Sequence, residues 1–149
     1  MEQRTPEILI VDDDNSTIEL IRQALREAGY NGNLNLVVAN SAEEAEDKMR
    51  GLDSLAGVIV DLNLPGQSGE VFVQDVRERG RRCGIVLMGG DTIHAGDYRF
   101  MQKPIDNNVL VGLVKKMLAM WDIRRETKEM LESTQLLKAE LGRAGYGTR

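Results

Sequence analysis

Val58-Ile59-Val60-Asp61-Leu62-Asn63-Leu64-Pro65-Gly66 decides the fold. Three β-branched residues in a row lead into an acid, and a Pro-Gly pair then breaks the chain. A strand apolar on both faces is covered on both sides, as happens in parallel sheets flanked by helices. The segment therefore reads as a strand from Gly57 to Val60, with Asp61 at its end. Leu64-Pro65-Gly66 and Gly69 form the loop beyond it.

The same grammar extends in both directions. Glu7 to Val11 is another apolar run, and it ends in Asp12-Asp13-Asp14. Ile18, Ile21, Leu25 and Ala28 follow at helical spacing. Ser16 with Glu19 reads as a capping box that opens this helix, and Gly29 ends it. Leu34 to Ala39 reads as the second strand. Ser41 with Glu44 caps a helix to about Arg50. Glu70 to about Glu78 reads as a third helix, Ile85 to Met88 as a fourth strand and Tyr98 to Met101 as a short fifth. Alternating strands and helices imply an α/β domain with a doubly wound parallel sheet and right-handed crossovers.

Two intervals depart from this rhythm. Between the fourth and fifth strands lie only Gly89 to Asp97, with two glycines at the start. A helix of three turns does not fit there, so a loop or one helical turn is expected in place of a fourth crossover helix. From Asp106 to about Leu141 the pattern stays helical, far beyond an ordinary globular helix. Leu110, Leu113, Val114, Met117 and Trp121 form a face for the sheet. Beyond them Met120, Ile123, Thr127, Met130, Thr134, Leu137 and Leu141 keep a three-four spacing, a heptad seam weakened by two threonines. The expected division is a domain over 1–121 and a helical extension over 122–149, ending in a flexible tail from Gly142. A homodimer through this helix is expected.

Composition narrows the function. The 149 residues are 42% hydrophobic, enough for one sizeable core, and the few aromatics make that core aliphatic. The net charge of −5 argues against binding nucleic acid, whose affinity rests on neutralising phosphates. Arg77, Arg79, Arg81 and Arg82 read as a solvated helix end and loop. The single cysteine, Cys83, suits a reducing compartment. With no leader pattern and no apolar run of membrane length, a cytoplasmic protein without membrane partners is expected.

The chemistry lies at strand ends. Asp12 and Asp13 follow the first strand, Asp61 the third and Lys103-Pro104 the fifth. In an open parallel sheet of order 2-1-3-4-5, the first and third strands are neighbours where the order reverses, and ligands bind at that edge. Three clustered carboxylates repel one another, and a hard divalent ion such as Mg²⁺ relieves them. Asp61, central at the edge, is the candidate nucleophile toward phosphorus. Asp12 and Asp13 suit the metal, and the Lys103 ammonium suits the transferred oxygens.

At these residues the chain resembles the receiver domain of two-component response regulators. Ile8-Leu9-Ile10-Val11-Asp12-Asp13-Asp14, the VIVDLNLPG segment with Gly69, and Lys103-Pro104-Ile105 carry the resemblance, which covers about residues 5 to 121. It implies a flavodoxin-like fold and phosphorylation of Asp61 by a partner histidine kinase. It implies Mg²⁺ held by Asp12, Asp13, Asp61 and the backbone carbonyl of Asn63. It also implies Lys103 on the phosphoryl group and a cis peptide before Pro104. The chain is then a phosphoacceptor rather than an enzyme, with autodephosphorylation left open.

The resemblance has gaps. Receivers usually place Thr or Ser at the end of the fourth strand, where this chain has Gly89; Thr92 is a candidate substitute. The switch aromatic of the fifth strand corresponds to Phe100, which lacks a hydroxyl. Together with the missing fourth helix, these changes touch the usual path from phosphate to output surface. Output is therefore expected through an atypical surface or the long helix, toward a downstream effector. One competing reading is a pseudo-receiver, an adaptor or dimerisation module that phosphate does not switch. Another is a Mg²⁺-dependent phosphohydrolase, which would want a second acid where Asn63 stands and a cap domain that is not evident. His94 reads as incidental.

Overall fold

The computed structural model describes residues 4–90 and 98–145. Five strands form one parallel sheet in the order β2-β1-β3-β4-β5: β1 (Glu7–Val11), β2 (Asn35–Ala39), β3 (Leu55–Asp61), β4 (Gly84–Gly89) and β5 (Arg99–Gln102). Among the described residues there are four helices: α1 (Asn15–Glu27), α2 (Ala42–Met49), α3 (Gly69–Glu78) and α4 (Asn107–Arg143). This is the expected flavodoxin-like arrangement, and its greatly extended last helix runs 37 residues. The interval expected to lack a helix falls on 91–97, outside the described residues. Thr92 and His94 lie there too.

Alternation along the strands builds two cores. Leu9, Val11, Val58, Val60, Ile85 and Leu87 face α2 and α3, where Ala45, Met49, Phe72 and Val76 close over them. Their neighbours Ile8, Ile10, Ile59, Val86 and Met88 point the other way. Ile18, Ile21 and Leu25 of α1, with Leu110, Val114 and Met117 of α4, cover that face. Both cores are almost wholly aliphatic, as the composition requires.

Glycines set how close α4 comes. A side chain on Gly57 of β3 or Gly84 of β4 would collide with Met117. The thioether lies in the space that these two adjacent strands leave open. Truncating Met117 would leave that space unfilled, a loss of about 2–5 kcal/mol for a core methionine.

Helix starts follow local side chains. Asp14, Ser41, Ser68 and Asp106 are the four N-caps, each accepting a hydrogen bond from a backbone N–H of its first turn. The Ser41–Glu44 box forms in half: Ser41 Oγ accepts from the Glu44 N–H, whereas the Glu44 carboxylate reaches one residue further back, to the N–H of Asn40. The Ser16–Glu19 box does not form. The Asp14 carboxylate takes the Ser16 N–H at 3.0 Å and the Thr17 hydroxyl at 3.1 Å, so the helix begins one residue before Ser16. A carboxylate two residues upstream has displaced the serine as cap.

The long helix has two regimes. Leu110, Val114 and Met117 are buried, while Trp121 is half-buried at the rim with Arg125 stacked 4.6 Å from its ring centre. From Glu126 to Gly145 every residue is exposed, including Met130, Leu137 and Leu141 of the seam. The helix continues through Gly142 and Arg143, where the sequence pattern had suggested a tail. Among the described residues, no helix is long and apolar enough to cross a membrane.

Candidate functional site

The site sits at the C-terminal ends of β1, β3 and β5. Asp12 is the residue after β1, and its N–H donates to Ala39 O at the end of β2. Asn40 Nδ2 donates to the Asp12 carbonyl at 3.2 Å. These two bonds tie Asp12 to the neighbouring strand. Its side chain, fully buried, accepts the Asp14 N–H at 2.9 Å through Oδ1.

Asp61 ends β3. Its Oδ1 accepts the Asn63 N–H at 3.1 Å, which folds the loop back toward the acid. Leu62 N–H donates to Met88 O on β4, and Gly69 N–H donates to Leu62 O, so both neighbouring elements hold this turn. Gly69 has a steric reason to be glycine: a Cβ there would collide with the Asp61 carbonyl. Gly66 adopts φ +77°, the left-handed conformation that glycine favours, and follows Pro65 in the exposed part of the loop.

Lys103 follows β5. Its N–H donates to Gly89 O at 2.8 Å and extends the ladder by one bond. The Lys103–Pro104 peptide is cis. The ammonium Nζ lies 3.2 Å from Asp12 Oδ2 and 3.2 Å from Asp61 Oδ2, bridging the two buried acids. Asp13 is exposed, yet carboxylate oxygens of Asp12, Asp13 and Asp61 lie within 4.8 Å of one another.

The charges explain the strain of this arrangement. Burial pushes the Asp12 carboxyl above its usual range, and the Asp61 charge adds to the rise. Hydrogen bonds from the Asp14 N–H and Lys103 oppose it. For Lys103, burial would lower the pKa, but the hydrogen bond and charge of Asp12, with Asp61, outweigh it and raise the value. Three carboxyl groups and one ammonium carry a formal charge of −2. A divalent cation with a preference for hard oxygen donors matches both that charge and this donor set.

The four side chains expected at one edge, Asp12, Asp13, Asp61 and Lys103, are thus together. Asn40 and Gly69 also shape the site, though sequence reasoning gave neither a place in it. An Asn one residue past β2, on the same sheet edge, was the available signal for the first.

A profile of the family described as "Response regulator receiver domain" matches residues 8–115. The chain belongs to this family. An NtrX-like response regulator of Rickettsia felis is 28% identical over 145 residues, which cover 91% of this chain and 29% of the relative. The transcriptional regulatory protein AruR of Pseudomonas aeruginosa is 29% identical over 125 residues, 76% of this chain and 49% of the relative. The receiver thus spans less than half the length of these curated relatives. The signal receiver domain of an HD domain-containing protein from Pseudomonas fluorescens superposes with a TM-score of 0.72 at 24% identity, over 85% of this chain and 96% of that one. This last likeness concerns the fold.

The receiver differs from expectation of its family at β4. Gly89 is buried at the strand's end, one residue past Met88, the ladder partner of Asp61. A Cβ there would lie 3.4 Å from Leu62 Cδ2 and 3.4 Å from Cε2 and Cζ of Phe100. The Phe100 ring, half-buried, therefore packs against the bare backbone of Gly89.

Proposed function

We propose that this receiver accepts a phosphoryl group on Asp61 from a histidine kinase, with Mg²⁺ as cofactor. The observation that carries the reading is the Lys103 ammonium held 3.2 Å from Oδ2 of both Asp12 and Asp61. The metal would be held by Asp12, Asp13, Asp61 and the Asn63 backbone carbonyl. When bound, Mg²⁺ would neutralise the acids and the charge on the transferred oxygens.

The protein's own residues supply the rest. An Asp61 oxygen attacks phosphorus and forms the new P–O bond. The P–N bond to the donor imidazole breaks, and its electron pair leaves with nitrogen. Asn63 N–H fixes the carboxylate, so little reorganisation is needed. Lys103 faces the developing negative charge. Treatment with acetyl phosphate and Mg²⁺ should add one phosphoryl group by intact mass, and Asp61→Ala should abolish it. An adduct that persists in Asp61→Ala, or none in the wild type, rejects the reading. The second outcome favours a pseudo-receiver, an adaptor that phosphate does not switch, which Gly89 also favours.

Output is proposed to run through the exposed part of α4, as a 122–149 extension of a 1–121 receiver that pairs with a second copy and meets a downstream effector. Side-chain charge selects the orientation. Glu126 and Glu140 flank the seam on one side. Antiparallel pairing about the middle of the seam would bring Glu126 onto the partner's Glu140. Parallel pairing avoids this repulsion. Sedimentation should show a dimer that is lost when the chain is truncated after Trp121. Equal association of the two forms would rule out pairing through this helix.

A further inference from the structure

We propose that the cleft between the α3–β4 turn and α4, lined by Arg77, Arg81, Arg82, Cys83 and Arg124, binds a small ligand bearing a diphosphate, of the nucleoside diphosphate class. The site lies at the N-terminal end of β4, whereas the carboxylates gather at the C-terminal strand ends. It goes beyond the phosphoacceptor reading and does not depend on it.

Charge makes the first argument. In a chain of net charge −5, four arginines line one cleft of about 420 Å³. Among the described residues, none of the four has a carboxylate within ion-pair distance; the nearby Arg79 has one, Glu46 at 3.9 Å. Burial pushes the Cys83 thiol up, while the charges of Arg81, Arg124 and Arg77 act on it in the opposite sense. Arg77, Arg81, Arg82 and Arg124 thus gather positive charge around one cleft. Like charges so placed repel unless an anion joins them.

Order makes the second argument. Arg77 stacks over Tyr98, 5.4 Å from its ring centre. Arg81 Nη2 donates to Leu52 O at 2.7 Å. Both planes are held in advance, which reduces the ordering needed on binding. Arg124 Nη2 is buried and has no hydrogen-bond partner. A buried N–H without an acceptor is costly, and guanidinium forks fit phosphate oxygens pairwise.

Size selects the ligand. Small-molecule clefts span roughly 300–1,000 Å³, and this one lies in that range. A nucleic-acid duplex needs a long basic track, which a chain of net charge −5 lacks. A ligand here would also join the body to α4 at Arg124, two residues before the helix becomes fully exposed. It would thereby fix the start of the projecting segment.

Calorimetric titration of the full chain with ADP and with inorganic pyrophosphate, in EDTA to silence the acidic edge, tests this. Saturable one-to-one binding of either is expected, weakened at least tenfold in the Arg82→Gln/Arg124→Gln double variant. Asp61→Asn and Arg143→Gln should bind like wild type. A melting-temperature rise with ligand, absent in the double variant, gives a second readout. No saturation, equal binding by the double variant, or loss of binding in Asp61→Asn would overturn the proposal, as would tighter binding of a DNA duplex than of either ligand.

Discussion

The two middle strands of this sheet, β3 and β4, end side by side and teach different things. At the end of β3 stands Asp61, whose Oδ2 meets Lys103 at 3.2 Å and whose neighbours Asp12 and Asp13 complete an acidic pocket. At the end of β4 stands Gly89, which offers no side chain and has the Phe100 ring packed against it. One end holds the acids and the ammonium on which the proposed phosphoryl chemistry rests. Gly89 at the other has no hydroxyl of its own to couple to that chemistry. Acceptance and readout are thus separable in physical terms, and substitutions at the two ends should affect different measurements.

The sharpest break is expected at β3. Asp61→Asn removes the nucleophile but preserves shape, so phosphoryl uptake should vanish in a gel or mass assay while the melting temperature stays within a few degrees. Lys103→Met comes next. On the proposed reading it removes a charged donor to the transferred oxygens, and the uptake rate should fall on the order of 100-fold, the usual effect of losing one such donor. A stopped-flow or mass time course would measure it, and a drop below threefold would mean that Lys103 serves only to neutralise the buried acids.

Gly69→Ala probes the backbone behind the nucleophile. Because a Cβ there meets the Asp61 carbonyl, the variant should lose about 1–3 kcal/mol in denaturant unfolding and take up phosphate more slowly. Gly89→Thr should be the mildest. Its Cβ would lie 3.4 Å from Leu62 and Phe100, which calls for only small adjustments. A loss of about 1 kcal/mol is expected, with an uptake rate within about twofold of wild type. A large rate change in Gly89→Thr would show that the two strand ends are not separable.

Much of this was legible in the sequence, for reasons that particular residues make plain. Val58-Ile59-Val60 and Ile8-Leu9-Ile10 admit few readings besides buried parallel strands, and the acids at their ends fix the active edge once the strand order is known. What was not legible depends on proximity in three dimensions. Gly69 read as a loop breaker, yet it opens α3, and it is glycine because the Asp61 backbone leaves no space for a Cβ. Met117 read as one more core methionine, whereas Gly57 and Gly84 make room for it. The cap of α1 was misplaced because the Ser16–Glu19 spacing matches a capping box, whereas the course of the chain after β1 brings the Asp14 carboxylate onto the Ser16 N–H. Arg124 lies more than forty residues from the arginines it joins, so no local pattern could group them.

The separation of acceptance from readout can be tested in one experiment on labelled wild-type protein. Two-dimensional NMR would follow the amides of Asp12, Asp13, Asp61, Asn63 and Lys103 together with the Phe100 ring, before and after acetyl phosphate with Mg²⁺. The account predicts large shifts at those amides and a Phe100 ring whose signals stay in place. Unmoved amides would contradict the chemistry assigned to Asp61, and a ring that moves with phosphorylation would contradict the claim that Gly89 uncouples β4 from it.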